Sequence, residues 1–380
     1  MKKVCIISFD QEGRYLQKLL SVKYDIPYII ERDCSLWGVR SENAEIISFS
    51  KAYKKYQEHE IEAFIIPCMR GINIKNMIYD RLIRNDVKSD DILYAPLRIF
   101  KDTELSEEEK LDLICRFKDR NELDFVAIHI TDNCNLNCAN CSVFSSIIRK
   151  PSFPDRDLTK KGILALKKYF DQIQVIRLLG GEPLLNPEWL SYCRFLRKLY
   201  PFSDIEVVSN GLLISSLSGE DLMTMKELNI TFDISYYPVI GEKIDDIHRL
   251  LKKYAICHYI TEENEFFSQL YDFQNPRDMS RNYLVCRQKF MCTNMRENFL
   301  YTCHAAVAGE RAKKYLAEFP TGAEGPGKGK VDLLEENLSA KEIIGQLSKP
   351  FYMCNFCNQD LTPWRILDKD ENSVNDWSLK

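Results

Sequence analysis

The chain has 380 residues, 45% of them apolar and 28% charged, and a formal net charge of −4. That length suggests two or three domains, each with its own core, and the charge balance provides no global basic field to hold nucleic acid. The N-terminus, MKKVCIISFD, reaches an aspartate after a few apolar residues, and no stretch approaches the length of a membrane span. A cytoplasmic protein that binds neither membrane nor nucleic acid is the expectation.

In chain order, residues 1–102 read as a degenerate Rossmann-like domain with a parallel sheet. Val4–Ile7 is a short apolar strand, and Ser8–Leu20 is a turn into an amphipathic helix. Strands follow at Pro27–Ile30 and Ala63–Ile66, with a further helix at Lys75–Arg84. The first turn has the outline of a dinucleotide fingerprint, but Ser8 and Asp10 stand where two of its three glycines belong, and only Gly13 remains. Side chains there block the close approach of a pyrophosphate. Residues 103–121 are expected to be a linker helix, opened by a capping box of Ser106 and Glu109.

From 122 to 282 a second α/β series begins. Strands are expected at Phe125–Thr131, Gln174–Leu179, Ile205–Ser209, Thr231–Ser235 and Ala255–Ile260. Helices are expected at about 158–171, 187–200, 217–228 and 242–253. This suggests a partial (β/α)6 barrel of the TIM type, whose function sits at the C-terminal ends of its strands. Three unusual turns fall on that rim: Cys134-Asn-Leu-Asn-Cys138-Ala-Asn-Cys141, Gly180-Gly181-Glu182-Pro183, and Ser209-Asn210-Gly211. Residues 283–380 lose the alternation and form a small cysteine-rich region. The glycine-rich run 322–329 lacks the Ser or Thr of a phosphate loop, as Gly329 stands there, and reads as a connector. The fold class throughout is α/β.

Fourteen cysteines are many for a chain without an export signal, and clustered thiols in a reducing compartment point to metal or redox chemistry. Three lie at 134–141 and five in the last quarter: Cys286, Cys292, Cys303, Cys354 and Cys357. A loop of three thiols leaves one corner of an iron–sulfur cubane without a protein ligand, so the site is held open for something else. A zinc site completed by a distant group such as His129 is the plainer alternative, but it leaves the Gly-Gly-Glu turn unexplained.

The spacing C-x3-C-x2-C with a downstream Gly-Gly-Glu-Pro, across residues 122–262, resembles the radical S-adenosylmethionine superfamily. The resemblance implies that Cys134, Cys138 and Cys141 hold a [4Fe–4S] cluster whose fourth iron takes the methionine part of S-adenosylmethionine. It implies that Gly180, Gly181 and Glu182 bind the cofactor's ammonium and that Ser209 and Asn210 contact its ribose. Asn140 departs from the family, which usually has a bulky residue before the third cysteine.

The later set resembles the shortened "twitch" or SPASM-like extension. In that reading Cys286, Cys303, Cys354 and Cys357 bind a second, auxiliary [4Fe–4S] cluster, with Cys292 as an alternative to Cys286 and a structural zinc as the plainer occupant. Asn298 stands where the family hairpin has its glycine.

An enzyme of this kind takes electrons from reduced flavodoxin or ferredoxin and abstracts hydrogen from a substrate, with an oxidoreductase, epimerase or lyase outcome. A sugar, polyol or nucleotide-linked sugar is the preferred substrate, and a peptide the runner-up. A non-enzymatic iron–sulfur sensor or a zinc-stabilised binding module is the reading from another class. Tyr236, Tyr237 and His258, near strand ends, are candidate substrate contacts.

Overall fold

The computed structural model describes residues 1–68, 74–148, 152–241, 243–262, 265–267, 272, 275–286, 293–312, 329–358 and 360–368. The chain divides into two units, Met1–Asp124 and Phe125–Lys380. In the first, apolar runs make the strands β1 (Lys2–Ile7), β2 (Tyr24–Ile30), β3 (Arg40–Ser41), β4 (Ala44–Ile47), β5 (Ala63–Pro67), β6 (Ile92–Ala95) and β7 (Cys115–Arg116). Their order is β3-β4-β2-β1-β5-β6-β7. The inner strands are parallel, and the two edge strands run antiparallel. Helices α1 (Gln11–Leu20), α2 (Phe49–Gln57), α3 (Ile74–Ile83), α4 (Leu97–Lys101) and α5 (Glu107–Asp112) connect them. Val4, Ile6, Leu16, Leu20, Ile29 and Ile65 form the centre of the core.

The turn between β1 and α1 is closed by its own side chains. Asp10 caps α1 by accepting from the Gly13 amide at 2.9 Å, and the Glu31 carboxylate accepts from the Phe9 amide at 3.0 Å. A carboxylate thus occupies the helix N-terminus where a phosphate would sit. Deeper in this unit, Lys75 is fully buried. It pairs with Asp124 at 2.6 Å and donates to the Tyr94 hydroxyl at 3.0 Å, while Tyr94 donates to Glu122 at 2.5 Å.

The helix expected over 103–121 is shorter than its charge pattern suggested. The capping box of Ser106 and Glu109 forms, but α5 ends at Asp112. Cys115 and Arg116 then add to the edge of the sheet beside Tyr94 and Leu93, because an open strand edge offers more hydrogen bonds than an isolated helical turn.

The strand β8 (Glu122–Thr131) leads into the second unit, which carries α6 (Arg156–Tyr169), β9 (Gln172–Gly180), α7 (Trp189–Leu199), β10 (Asp204–Ser209), α8 (Gly219–Glu227), β11 (Ile230–Tyr236), α9 (Lys243–Lys253) and β12 (His258–Glu262). β8 lies beside β9, and β9 to β12 are parallel neighbours. The last was expected at Ala255–Ile260. Ala255 instead adopts φ +53 in the turn after α9, which delays strand entry.

Beyond these lie β13 (Glu265–Phe267), α10 (Met279–Val285), β14 (Asn294–Arg296), β15 (Phe299–Tyr301), α11 (His304–Ala312), β16 (Lys330–Asp332), α12 (Ala340–Leu347) and β17 (Leu361–Pro363). β14 pairs in parallel with β8, so the cysteine-rich region extends the barrel sheet itself. In the β14–β15 turn the left-handed residue is Glu297 at φ +55, not Asn298; the Asn298 amide instead donates to Asp332 at 2.6 Å. Of the run 322–329, only Gly329 lies within the described residues. Among the described residues no helix is long and apolar enough to cross a membrane.

Candidate active site at the barrel rim

The rim is built where β8, β9 and β10 end. Thr131 and Asn133 carbonyls accept from the Gly181 and Glu182 amides at 3.2 and 2.7 Å. This close pass explains both glycines. A Cβ at Gly180 would stand 2.1 Å from the Thr131 oxygen, and one at Gly181 would stand 2.2 Å from that of Asn133.

Glu182 then ties the second strand end to the third. Its carboxylate is fully buried and accepts from Ser209 Oγ at 2.9 Å, from the Asn210 amide at 2.8 Å and from the Leu184 amide at 3.1 Å. Burial pushes its pKa up to about 7, against the pull of the three donors. The Glu182 side chain is therefore used to fix the turn, and what the turn offers a ligand is its backbone.

Ser209 and Asn210 are engaged in the same frame. The Asn210 side-chain nitrogen Nδ2 donates to Asn135 Oδ1 at 2.7 Å and lies 4.0 Å from Cys134 Sγ. The Leu136 amide donates to the same sulfur at 3.4 Å. Asn140 takes a left-handed conformation, φ +55, that lets the loop turn between its second and third cysteines. Asp132, at the start of the loop, forms a two-pronged ion pair with Arg296 of β14, at 2.6 and 3.0 Å.

Burial pushes the Cys134 and Cys138 thiols up to about 12, and the neighbouring sulfurs, Cys141 foremost, add to the rise. Three thiols that oppose one another's ionisation suit a cationic guest, which removes the repulsion as it displaces the protons. By this test the residues present fit an iron–sulfur cluster.

The later cysteines also converge. Cys286 follows α10, Cys303 precedes α11, and Cys354 and Cys357 bracket a short turn. All four line one pocket with Asn282, Tyr283 and Met353. Asn282 knits this wall together by donating to the Cys354 and Cys357 carbonyls at 2.8 and 3.1 Å. Burial raises the Cys354 thiol to about 11 and that of Cys357 to about 12, with Cys286 adding to both. Cys292 lies outside the described residues.

The remaining candidates separate. Tyr237 stands at the rim, stacked on Trp364 with centroids 5.5 Å apart. Tyr236 ends β11, beside Glu262. His258 opens β12, at the end remote from the rim. One ring nitrogen bonds the Ile256 carbonyl and the other faces His248 at 2.7 Å, so it does not join the site. His129 is buried against Asn294 at 2.7 Å rather than turned to the cysteine loop.

Sequence reasoning missed a charged network on the strands themselves. Arg177 of β9 bonds Glu206 of β10 at 2.7 Å, Asp233 of β11 at 3.2 Å and the Tyr259 hydroxyl of β12 at 3.2 Å. On the opposite face of these strands Ile176, Leu178, Val207, Phe232 and Ile234 are fully buried, on the side where α7 and α8 contact the sheet. The network therefore occupies the other face of these strands, three residues below the rim on each of β9, β10 and β11. Burial, with Glu206 adding, raises the Asp233 carboxyl against the pull of Arg177. The available signal was a lone charge in the middle of each apolar strand, costly unless it faces a lumen.

A family model described as the Radical SAM superfamily matches residues 128–256. The GTP 3',8-cyclase of Limosilactobacillus fermentum is 33% identical over 129 residues, which cover 32% of this chain and 36% of that protein. Molybdenum cofactor biosynthesis protein 1 of Bos taurus is 31% identical over 113 residues, which cover 29% of this chain and 17% of that protein. Among solved structures, that of BtrN in complex with AdoMet and 2-DOIA is 18% identical with a TM-score of 0.31, covering 37% of this chain and 57% of that one. The chain spans about a third of the length of the first GTP 3',8-cyclases it matches.

Proposed function

Because this chain, through residues 128–256, belongs to the Radical SAM superfamily, we propose that it removes hydrogen from a neutral or cationic polyhydroxylated small molecule, a sugar, polyol or amino sugar, with net dehydrogenation. The observation that carries the substrate class is the network of Arg177, Glu206, Asp233 and Tyr259. It holds two carboxylates against one guanidinium, and a hydroxyl or ammonium group suits that balance better than a triphosphate does.

In this reading Cys134, Cys138 and Cys141 hold a [4Fe–4S] cluster, and the Gly180–Gly181 backbone receives the ammonium of S-adenosylmethionine. Cys286, Cys303, Cys354 and Cys357 hold a second cluster. Bound together, these groups supply a 5′-deoxyadenosyl radical that takes one hydrogen atom from the substrate, with an acceptor for the electron left behind, and they are recharged by an external donor such as reduced flavodoxin or ferredoxin. The chain's own residues do the rest. Arg177 orients Glu206 and Asp233, and these hold the substrate's hydroxyl or ammonium protons. Asp233, its carboxyl raised by burial, accepts the hydroxyl proton as the carbonyl forms.

A second reading, a guanine nucleotide substrate, is favoured by the relatives named GTP 3',8-cyclase. One experiment separates the two. The anaerobically reconstituted protein, given dithionite and S-adenosylmethionine, is offered ring-deuterated glucosamine, deuterated inositol or ribose-deuterated GTP. Deuterium is expected in 5′-deoxyadenosine from a polyol or amino sugar, and Asp233→Asn is expected to reduce the transfer about 10²-fold. Transfer from GTP alone would establish the second reading.

A further inference from the structure

The stretch from Trp364 to Asp368 runs back over the cysteine loop as a strap. Cys138 and Ile366 form an antiparallel bridge. The Ala139 amide donates to the Arg365 carbonyl at 3.0 Å, and the Leu367 amide donates to that of Asn137 at 2.7 Å. The Asn137 side chain adds bonds to the Leu367 and Asp368 carbonyls, both at 3.1 Å.

This backbone pairing fixes the position of Trp364. Its ring lies on Tyr237 at an interplanar angle of 27°. Its indole nitrogen is buried and has no hydrogen-bond partner among the described residues. The strap that carries it pairs through Ile366 with Cys138, a residue only 7% exposed.

An indole N–H can only donate, and a buried donor left unsatisfied is costly. A neutral thiol is a poor acceptor, whereas a thiolate is a good one. The orphaned donor is thus matched to a Cys138 that carries negative charge. We propose that Trp364 is a positioning residue for the metal centre at the cysteine loop, its indole N–H donating to Cys138 Sγ once that sulfur is a metal-bound thiolate, with Tyr237 holding the ring in place.

The proposal rests on the reading of Cys134, Cys138 and Cys141 as cluster ligands. It gives the strap a task that packing alone would not. A hydrogen bond to a ligating sulfur draws electron density from it and makes the cluster easier to reduce. Cys134 receives such donors from its own surroundings, the Leu136 amide and the Asn210 side chain. Cys138 receives its donor from the far end of the chain. The strap follows shortly after Cys354 and Cys357 in the chain.

The test uses the full chain, reconstituted anaerobically with iron and sulfide. Trp364→Phe keeps a ring to lie on Tyr237 but removes the N–H, and Trp364→Ala removes both. The readout is the midpoint potential of the cluster whose paramagnetic resonance signal responds to added S-adenosylmethionine. In Trp364→Phe that potential is expected to become more negative with iron content unchanged. At a fixed reductant potential, substrate-free formation of 5′-deoxyadenosine is expected to fall several-fold. Trp364→Ala should show at least as large a shift.

A Trp364→Phe protein with wild-type potential and resonance signal overturns the proposal and leaves Trp364 a packing residue. Failure of the underlying reading looks different. In that case the wild-type protein binds no iron that Cys138→Ala removes, or releases no 5′-deoxyadenosine under dithionite, whatever stands at position 364.

Discussion

Glu182 is a carboxylic acid with no water around it, and that has a consequence for stability. An ordinary glutamate titrates near 4.5, whereas burial moves this one to about 7. The folded protein therefore holds a proton that the unfolded chain has released between those values. The stabilising contribution is whole below about pH 4.5 and is lost as pH rises through about 7. The interval corresponds to roughly 3 kcal/mol. Denaturant unfolding of the metal-free protein at pH 5 and at pH 8 should show the decline. Glu182→Gln, which cannot titrate, should start about 1 kcal/mol less stable because its amide nitrogen cannot accept from Asn210. Its stability should then change much less between the two pH values. An unchanged slope in Glu182→Gln would assign the pH dependence to other groups.

The elements legible in the sequence were those whose cause is local. Strand and helix periodicity located β8 to β11 to within a few residues, and the cysteine spacing marked the loop because three thiols within eight residues need no tertiary information. The parts that escaped depend on contacts distant in sequence. A helix over 103–121 is good local chemistry, but the edge of β6 takes Cys115 and Arg116 instead. The left-handed place in the β14–β15 turn falls on Glu297, although Asn298 has the better intrinsic tolerance, because the Asn298 side chain is committed to Asp332. Arg177, Glu206 and Asp233 become a network only once three strands are in register. The glycines of the rim turn show how tightly such elements are joined. Gly181→Ala would drive a methyl group into the Asn133 carbonyl at 2.2 Å, and backbone cannot yield as a side chain does. A loss of about 1–3 kcal/mol is expected, together with reduced iron uptake at the cysteine loop, read by thermal unfolding and iron assay. Full iron content with wild-type stability would mean that the turn has slack the geometry does not show.

At the scale of the whole chain, the two cysteine sets answer different questions, and this makes their roles separable. The set at 134–141 sits on the rim with the Gly180–Gly181 turn and the charged network below it. The set of Cys286, Cys303, Cys354 and Cys357 lines its own pocket, together with Asn282 and Met353. If both hold cubanes, the reconstituted protein carries about eight irons per chain. Cys357→Ala should then lose about four of them. Dehydrogenation removes a hydrogen atom, a proton and an electron from the substrate. Asp233 can take the proton, but no side chain of the network can take the electron. Without the second set, substrate-free cleavage of S-adenosylmethionine should persist, because the rim cysteines are untouched, whereas oxidised product should fall by at least an order of magnitude. More 5′-deoxyadenosine would then be spent per product. Quantifying both products in Cys357→Ala and in Cys138→Ala separates the roles, since the latter should abolish cleavage altogether. Equal loss of both products in Cys357→Ala, with about four irons retained, would assign the second set to bracing the fold rather than to accepting an electron.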